Sequence, residues 1–341
     1  MAASLGGAEL PPFTLENVAG KGKGLVANHS ISPGSTIIAE APLFTTEGLS
    51  NPATTEKDLA ATVRSLPKES QRAFLSLHNN NPGRGEPLSN IVRSNGYPLG
   101  PSSEVGGIFP VTARINHSCR PNAQHAWSNK MQKMLVHAVR DIHPGDELTL
   151  SYIAGGASTV RKRNLKDYFG FDCTCELCSL PRKQQRISDE RLERAQQLDD
   201  SIGDSKRVKR TPEKALDDCH ALLQIFEQEQ IFDLRLPRLY YDAFQICAVH
   251  SDRARASIFA QRSRDARVIC EGPESEEAES LEQLVEDPAR FENFGFSRRW
   301  ESTVDDVPDG ASAESFGEWL WRPKHRKLVT LNRTSFAGQL E

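Results

Sequence analysis

No run of about twenty apolar residues occurs in the 341-residue chain, so no segment reads as a membrane-spanning helix. An excess of one charge is missing too. With 42 Lys and Arg against 46 Asp and Glu, the net charge of −4 excludes bulk attraction to nucleic acid or acidic membranes. Residues 1–12 lack the basic-then-apolar pattern of a secretory signal, and a protein kept inside the cell, cytoplasmic and/or nuclear, is expected. Seven cysteines, an odd number in such a chain, argue against a disulfide framework. Residues 28–118 hold none of them. The 38% apolar content still supports a packed core, and the length leaves room for two domains.

The cysteines that are present fall into two groups. Cys173-Thr174-Cys175-Glu176-Leu177-Cys178 offers three thiols at tight spacing, and Asn116-His117-Ser118-Cys119-Arg120-Pro121-Asn122 supplies a fourth. Three thiols so close repel one another as thiolates unless a cation neutralises them. Four sulfurs, Cys119, Cys173, Cys175 and Cys178, suit a closed tetrahedral zinc site that stabilises structure and does no chemistry. Cys219, Cys247 and Cys270 have no ligand spacing and read as small buried hydrophobes.

The first 180 residues read as β-rich. Pro-Gly pairs centre two type II turns, Ser32-Pro33-Gly34-Ser35 and His143-Pro144-Gly145-Asp146, each expected to join a strand pair. In the strand Glu147–Ile153, period two puts Leu148, Leu150 and Tyr152 on one face, so Tyr152 should point inward, where its hydroxyl needs a partner. Residues 56–78 carry helical periodicity, and 159–169 form a short basic helix leading into the cysteines. After Pro181 the pattern turns helical. Thr211-Pro212 reads as a cap with an N1 proline, and helices follow around Leu216–Phe226 and Leu239–Cys247, with a third running after Ser251 through Ile258 and Phe259 to Ile269. Their succession suggests a tetratricopeptide-like array without a clean repeat period. The glutamate-rich stretch 274–287 is expected as a solvated face or loop, Lys206–Arg210 as a solvated loop or a nuclear-import signal, and Trp300, Trp319 and Trp321 as packing residues beside Arg322, Lys324, Arg326 and Lys327.

Taken together, these motifs resemble the SET-domain protein-lysine methyltransferases, and among them the SET and MYND-domain family. Asn-His-Ser-Cys-x-Pro-Asn at 116–122 matches the family's cofactor motif, and Gly-Asp-Glu-Leu-Thr-x-Ser-Tyr at 145–152 its catalytic-tyrosine strand. The cluster 173–178 matches the post-SET zinc segment, and Lys21-Gly22-Lys23-Gly24-Leu25 resembles the glycine-rich approach to the cofactor. The cysteine-free stretch 28–118 leaves no MYND finger.

The resemblance implies an α+β fold with a β-rich SET domain at 13–155 (helical insert about 50–105), a zinc-binding post-SET segment at 156–182, an all-α domain at 188–295 and a tail at 296–341. It implies an S-adenosylmethionine-dependent enzyme that methylates a lysine of a histone or other protein as a monomer, with one structural zinc ion and no direct nucleic-acid binding. The alternative is a catalytically weak SET fold used as a protein-interaction module. By the same resemblance Tyr152 is the catalytic residue. Lys23, Gly24, Asn95, Asn116, His117, Tyr152 and Phe171 border the cofactor, Phe171 near its adenine. The family usually has a tyrosine two residues before Phe-x-Cys-x-Cys. Phe169 stands there in this chain, with Tyr168 one position earlier, so one of the two is expected in the lysine channel. Loss of the hydroxyl at Phe169 would leave room for an already methylated amine.

Overall fold

The computed structural model describes residues 11–47, 55–83, 85–101 and 103–323. Through residue 150 the elements run β1 (Phe13–Val18), β2 (Gly22–Ala27), β3 (Thr36–Glu40), β4 (Phe44–Thr46), α1 (Glu56–Ser65), α2 (Lys68–Leu75), α3 (Pro87–Asn95), β5 (Gly96–Pro98), β6 (Gly106–Ile108), β7 (Asn116–His117), β8 (Ala123–Ser128), β9 (Lys133–Ala138) and β10 (Thr149–Leu150). Helices follow: α4 (Ser158–Phe169), α5 (Arg182–Ile202), α6 (Ser205–Arg210), α7 (Pro212–Glu229), α8 (Arg235–Val249), α9 (Arg253–Glu271), α10 (Glu276–Glu286) and α11 (Ala313–Trp321).

The strands make four small sheets: β1–β2, β3–β9–β8, β4–β6–β5 and the parallel pair β10–β7. Both Pro-Gly turns form. Ser35 N–H donates to Ser32 O at 3.1 Å and Asp146 N–H to His143 O at 3.0 Å, with Gly34 and Gly145 at φ +82° and +89°, conformations that favour glycine. The strands beside them, however, pair elsewhere. β2 pairs with β1, β3 with β9, and residues 145–148 run beside β2, where Leu148 N–H donates to Leu25 O at 2.8 Å. A turn fixes the direction of its exits; which neighbour completes the ladder is decided by distant residues.

The single helical stretch expected over 56–78 divides into α1 and α2 at Leu66-Pro67, because a proline ring disfavours helical backbone in the residue before it. In the C-terminal half α5 begins at Arg182, ahead of the expected 188, directly after Pro181. Pro212 does open α7, but the Thr211 hydroxyl bonds Arg207 O rather than capping. The glutamate-rich stretch is helix α10 and not a loop: Ser275 caps Ala278 N–H, three glutamates stabilise the N-terminal turn, and Ala278 and Leu281 are buried. Lys206–Arg210 lies in the short helix α6. Trp300 and Trp321 are buried, whereas Lys324, Arg326 and Lys327 lie outside the described residues.

Helices α5, α7, α8, α9 and α11 share one apolar core that includes Leu216, Phe226, Phe244 and Phe259. α9 also packs across β8 and β9, bringing Ile269 beside Gly34 and Gly272 beside His137. The helical region is thus seated on the three-stranded sheet. Among the described residues no helix is long and apolar enough to cross a membrane.

Candidate active site and cysteine cluster

β7 and β10 are two residues long each, with Thr149 opposite Asn116 and Leu150 opposite His117. Such a short parallel pair has little ladder energy of its own, and Asn122 reinforces it. The Asn122 amide donates to Glu147 O at 2.9 Å, and its oxygen accepts from Thr149 N–H at 2.8 Å. The two motifs that flank Cys119 and Tyr152 are thereby bound side by side.

Tyr152 leaves β10 at this junction. Its backbone N–H donates to His117 Nδ1 at 3.0 Å, which makes Nδ1 the acceptor and turns Nε2, 3.3 Å from Cys119 Sγ, toward the sulfur. Burial pulls the His117 pKa down to about 4, so the ring is neutral near pH 7. The Tyr152 hydroxyl donates to Ile115 O at 2.7 Å. Burial, then the nearby Glu147 charge, pushes this phenol well above its ordinary range.

Three aromatic side chains surround Tyr152. The Phe169 ring lies 5.0 Å away, and the Phe171 ring lies 6.5 Å from Tyr152 and 6.0 Å from His117. Gly170, left-handed at φ +76°, ends α4 between them and lets both rings turn the same way. Tyr168 points elsewhere and is 74% exposed. Tyr97, two residues after Asn95, packs with Tyr152 on one core and meets His125 edge-on at 5.0 Å. Sequence reasoning passed over Tyr97, although its spacing from Asn95 was a usable signal.

A second line of contacts runs from Tyr152 toward β2. Asn116 Nδ2 donates to Glu147 Oε1 at 2.8 Å and to Lys23 O at 3.2 Å, and Lys21 Nζ pairs with Glu147 Oε2 at 2.5 Å. Lys23 therefore takes part through its backbone. A Cβ on Gly24 would sit 2.7 Å from Asn116 Nδ2 and 2.8 Å from Val18 Cγ2, so only glycine permits this approach. Glu147 and Lys21 were also missed as site residues, since nothing local marks a glutamate that joins Asn116 on β7 to Lys21 in the β1–β2 turn. Asn95 stands apart from these contacts. Its side-chain N–H groups are spent on His78 O and Ile91 O, both at 2.7 Å, and none of its hydrogen bonds reaches Asn116, His117 or Tyr152.

The sulfurs of Cys119, Cys173, Cys175 and Cys178 lie within 4.8 Å of one another, and Cys119 Sγ and Cys178 Sγ are 3.6 Å apart. A tetrahedral ion with bonds of about 2.3 Å needs sulfurs roughly 3.8 Å apart, so the donor set and its spacing fit zinc. The neighbouring thiols hydrogen-bond toward Cys175 and hold it well below an ordinary thiol. Cys219, Cys247 and Cys270 are buried in the helical region, and burial pushes each thiol up.

A SET-domain family model matches residues 22–153. A histone-lysine N-methyltransferase named set5, from Schizosaccharomyces pombe, is 34% identical over 270 residues, 79% of this chain and 82% of that protein. Human SMYD1, a histone-lysine N-methyltransferase, is 30% identical over 46% of this chain and 32% of its own length, and rat SMYD2, an N-lysine methyltransferase, is 28% identical over 50% and 43%. The β7–β10 junction, with Asn116, His117 and Tyr152 on it, lies within the matched domain. By this likeness over most of both chains, the protein belongs to the SET-domain family of S-adenosylmethionine-dependent protein-lysine methyltransferases.

Proposed function

We propose that Tyr152 is the catalytic residue of methyl transfer to a protein lysine, with Lys23, Gly24, Asn116, His117 and Phe171 bordering the cofactor and Phe169 and Tyr97 lining the lysine channel. When bound, S-adenosylmethionine supplies a methyl group on a positively charged sulfur. The carrying observation is the hydrogen bond from the Tyr152 hydroxyl to Ile115 O. It commits the phenol's one hydrogen, so the oxygen presents only lone pairs to whatever sits in front of it. That oxygen can hold an amine N–H and the polarised C–H groups of the methyl in line, where orientation lowers the barrier by several kcal/mol. Because its pKa is raised, Tyr152 stays protonated and positions rather than removing a proton.

The substrate amine must reach the site neutral. A lysine of pKa about 10.4 needs roughly 4–5 kcal/mol to deprotonate at pH 7. The rings of Phe169 and Phe171 beside Tyr152 form an apolar wall that favours the uncharged amine by desolvation. The Cβ side of Gly24 is filled by Asn116, Val18 and Glu147, so Gly24 lets the β2 backbone lie directly against Asn116, which supports placing Lys23 and Gly24 beside the cofactor. Asn95 is assigned a supporting role in shaping α3, and Tyr168, at 74% exposure, a position outside the channel. A zinc ion at the four cysteines would be structural, tying the Cys119 loop to the segment that carries Phe171. We further assign the helices after Pro181 to a tetratricopeptide-like array that helps to present a protein substrate, histones being one candidate class given the names of the relatives.

Calorimetry with S-adenosylmethionine and transfer of labelled methyl to fractionated cell protein test this reading. Binding and a labelled lysine are expected; no measurable binding would favour an interaction module. Phe169 adds a product prediction. With no hydroxyl there, di- or trimethyl-lysine is expected from the wild type and a shift toward monomethyl-lysine from Phe169→Tyr. Identical product ratios by mass spectrometry would remove Phe169 from the channel.

A further inference from the structure

Beneath the cysteine cluster, where α4 and the helical region meet, lies a void of about 10 Å³ bordered by Cys119, Leu177, Arg120, Arg161, Arg235 and Glu229. Two of its three guanidiniums have carboxylates. Arg120 pairs with Glu229 at 2.8 Å, and Arg235 pairs with Asp233 at 2.6 Å. Arg161 has none within ion-pair distance among the described residues. It is 1% exposed, donates to Gly156 O through Nη1, and leaves Nε and Nη2 without a hydrogen-bond partner. Arg120 Nε is also buried and unpartnered.

A buried cation without a counter-charge is costly, and a void of this size holds at most one water, which supplies no charge. The same void is walled by Cys119. A zinc ion with four thiolate ligands carries a net double negative charge, itself costly to bury. Each group is what the other lacks.

We infer that Arg161, seconded by Arg120, is a positioning residue for the cysteine cluster, its guanidinium serving as the counter-charge of the zinc-loaded tetrathiolate. This rests on the reading that the four cysteines hold zinc. Arg161 also ties the Gly156 carbonyl, four residues past Tyr152, and stands on the helix that ends at Phe169. One side chain thereby connects metal retention to the position of the aromatic wall.

The test follows zinc release from the 341-residue chain to a chromogenic chelator. Metal analysis of the wild type comes first; a chain with no zinc ends the underlying reading, whatever Arg161 does. With zinc present, Arg161→Met is expected to release it about tenfold faster or more, the range usual for lost outer contacts of a metal site. Arg161→Lys, which keeps the charge, should stay within about threefold of wild type. Arg191→Met removes a Glu229 partner that does not border the void and should stay within about twofold. Release from Arg161→Met at the wild-type rate, or equal acceleration in the Met and Lys variants, would overturn the proposal. Should Arg161→Met not fold, Arg120→Met decides: about threefold faster release supports the inference and an unchanged rate overturns it.

Discussion

In the helical region one apolar cluster runs from Leu192 to Trp321, whereas the β-rich region divides its core between a cluster around Leu25, Ile38, Val136 and Leu150 and another around Phe44, Phe74 and Val92. The helices bury side chains on nearly every turn facing that cluster. The strands are at most six residues long, and the pair carrying the site has two residues in each partner. Strands that short gain little from their ladders, so side chains do the joining: Asn122 across β10, Glu147 between Asn116 and Lys21, and the four cysteines at the far end. The contrast teaches that the helical region is held by area and the site by a few specific contacts. Removing one such contact should therefore disable the site while sparing the helices.

The most severe test of that contrast is Cys175→Ser. Cofactor affinity is expected to fall by about 10–100-fold. Amide hydrogen exchange should rise in Asn116–Asn122 and Thr149–Tyr152 while α8 and α9 keep their protection. Equal loss of protection in both regions would break the comparison. The converse variant, Phe244→Ala, empties a fully buried position in the helical core. It should cost about 3–5 kcal/mol of stability, read by denaturant unfolding, with cofactor affinity nearly unchanged under native conditions.

Acid sharpens the contrast through His137, 1% exposed on β9, whose Nε2 lies 3.0 Å from the Thr36 hydroxyl. Burial holds its pKa down to about 4 from the 6.5 of an open chain. Below pH 6.5 the unfolded chain takes up the proton and the folded one does not, so stability present above 6.5 is lost as pH falls toward 4, by about 3 kcal/mol at most. Asp242 in α8 behaves oppositely. Burial raises its carboxyl to about 6, so its folded form gains stability as pH falls from 6 toward 3.8. His250, also in the helical region, is shifted down as His137 is, so the decisive reading is the difference between wild type and His137→Gln. A variant with the same acid profile as wild type would exclude His137 as the cause.

The sequence carried the parts of this picture that are local. Proline followed by glycine specifies a turn whatever surrounds it, and the spacing of Cys173, Cys175 and Cys178 shows that three sulfurs meet. It did not carry the parts that depend on distant residues. Two-residue strands have no period, so the pairing of Asn116 with Thr149 is invisible along the chain. The glutamates of α10 do face solvent, but that they do so from a helix was hidden, because a capping serine and two buried apolar positions, Ala278 and Leu281, are a weak signal. Asn95 has a motif neighbour but spends its amide on backbone, and Arg161 looked like one basic residue among several on α4 until its burial was seen.

The claim on which the rest depends is that the Tyr152 oxygen, held by Ile115 O, does its work in the transfer step. Tyr152→Phe keeps the ring among Phe169, Phe171 and His117 and removes only that oxygen. Single-turnover methyl transfer, measured beside calorimetric cofactor binding, should show a rate lowered by about 10²–10³-fold with affinity within about threefold of wild type. An unchanged rate would contradict the account.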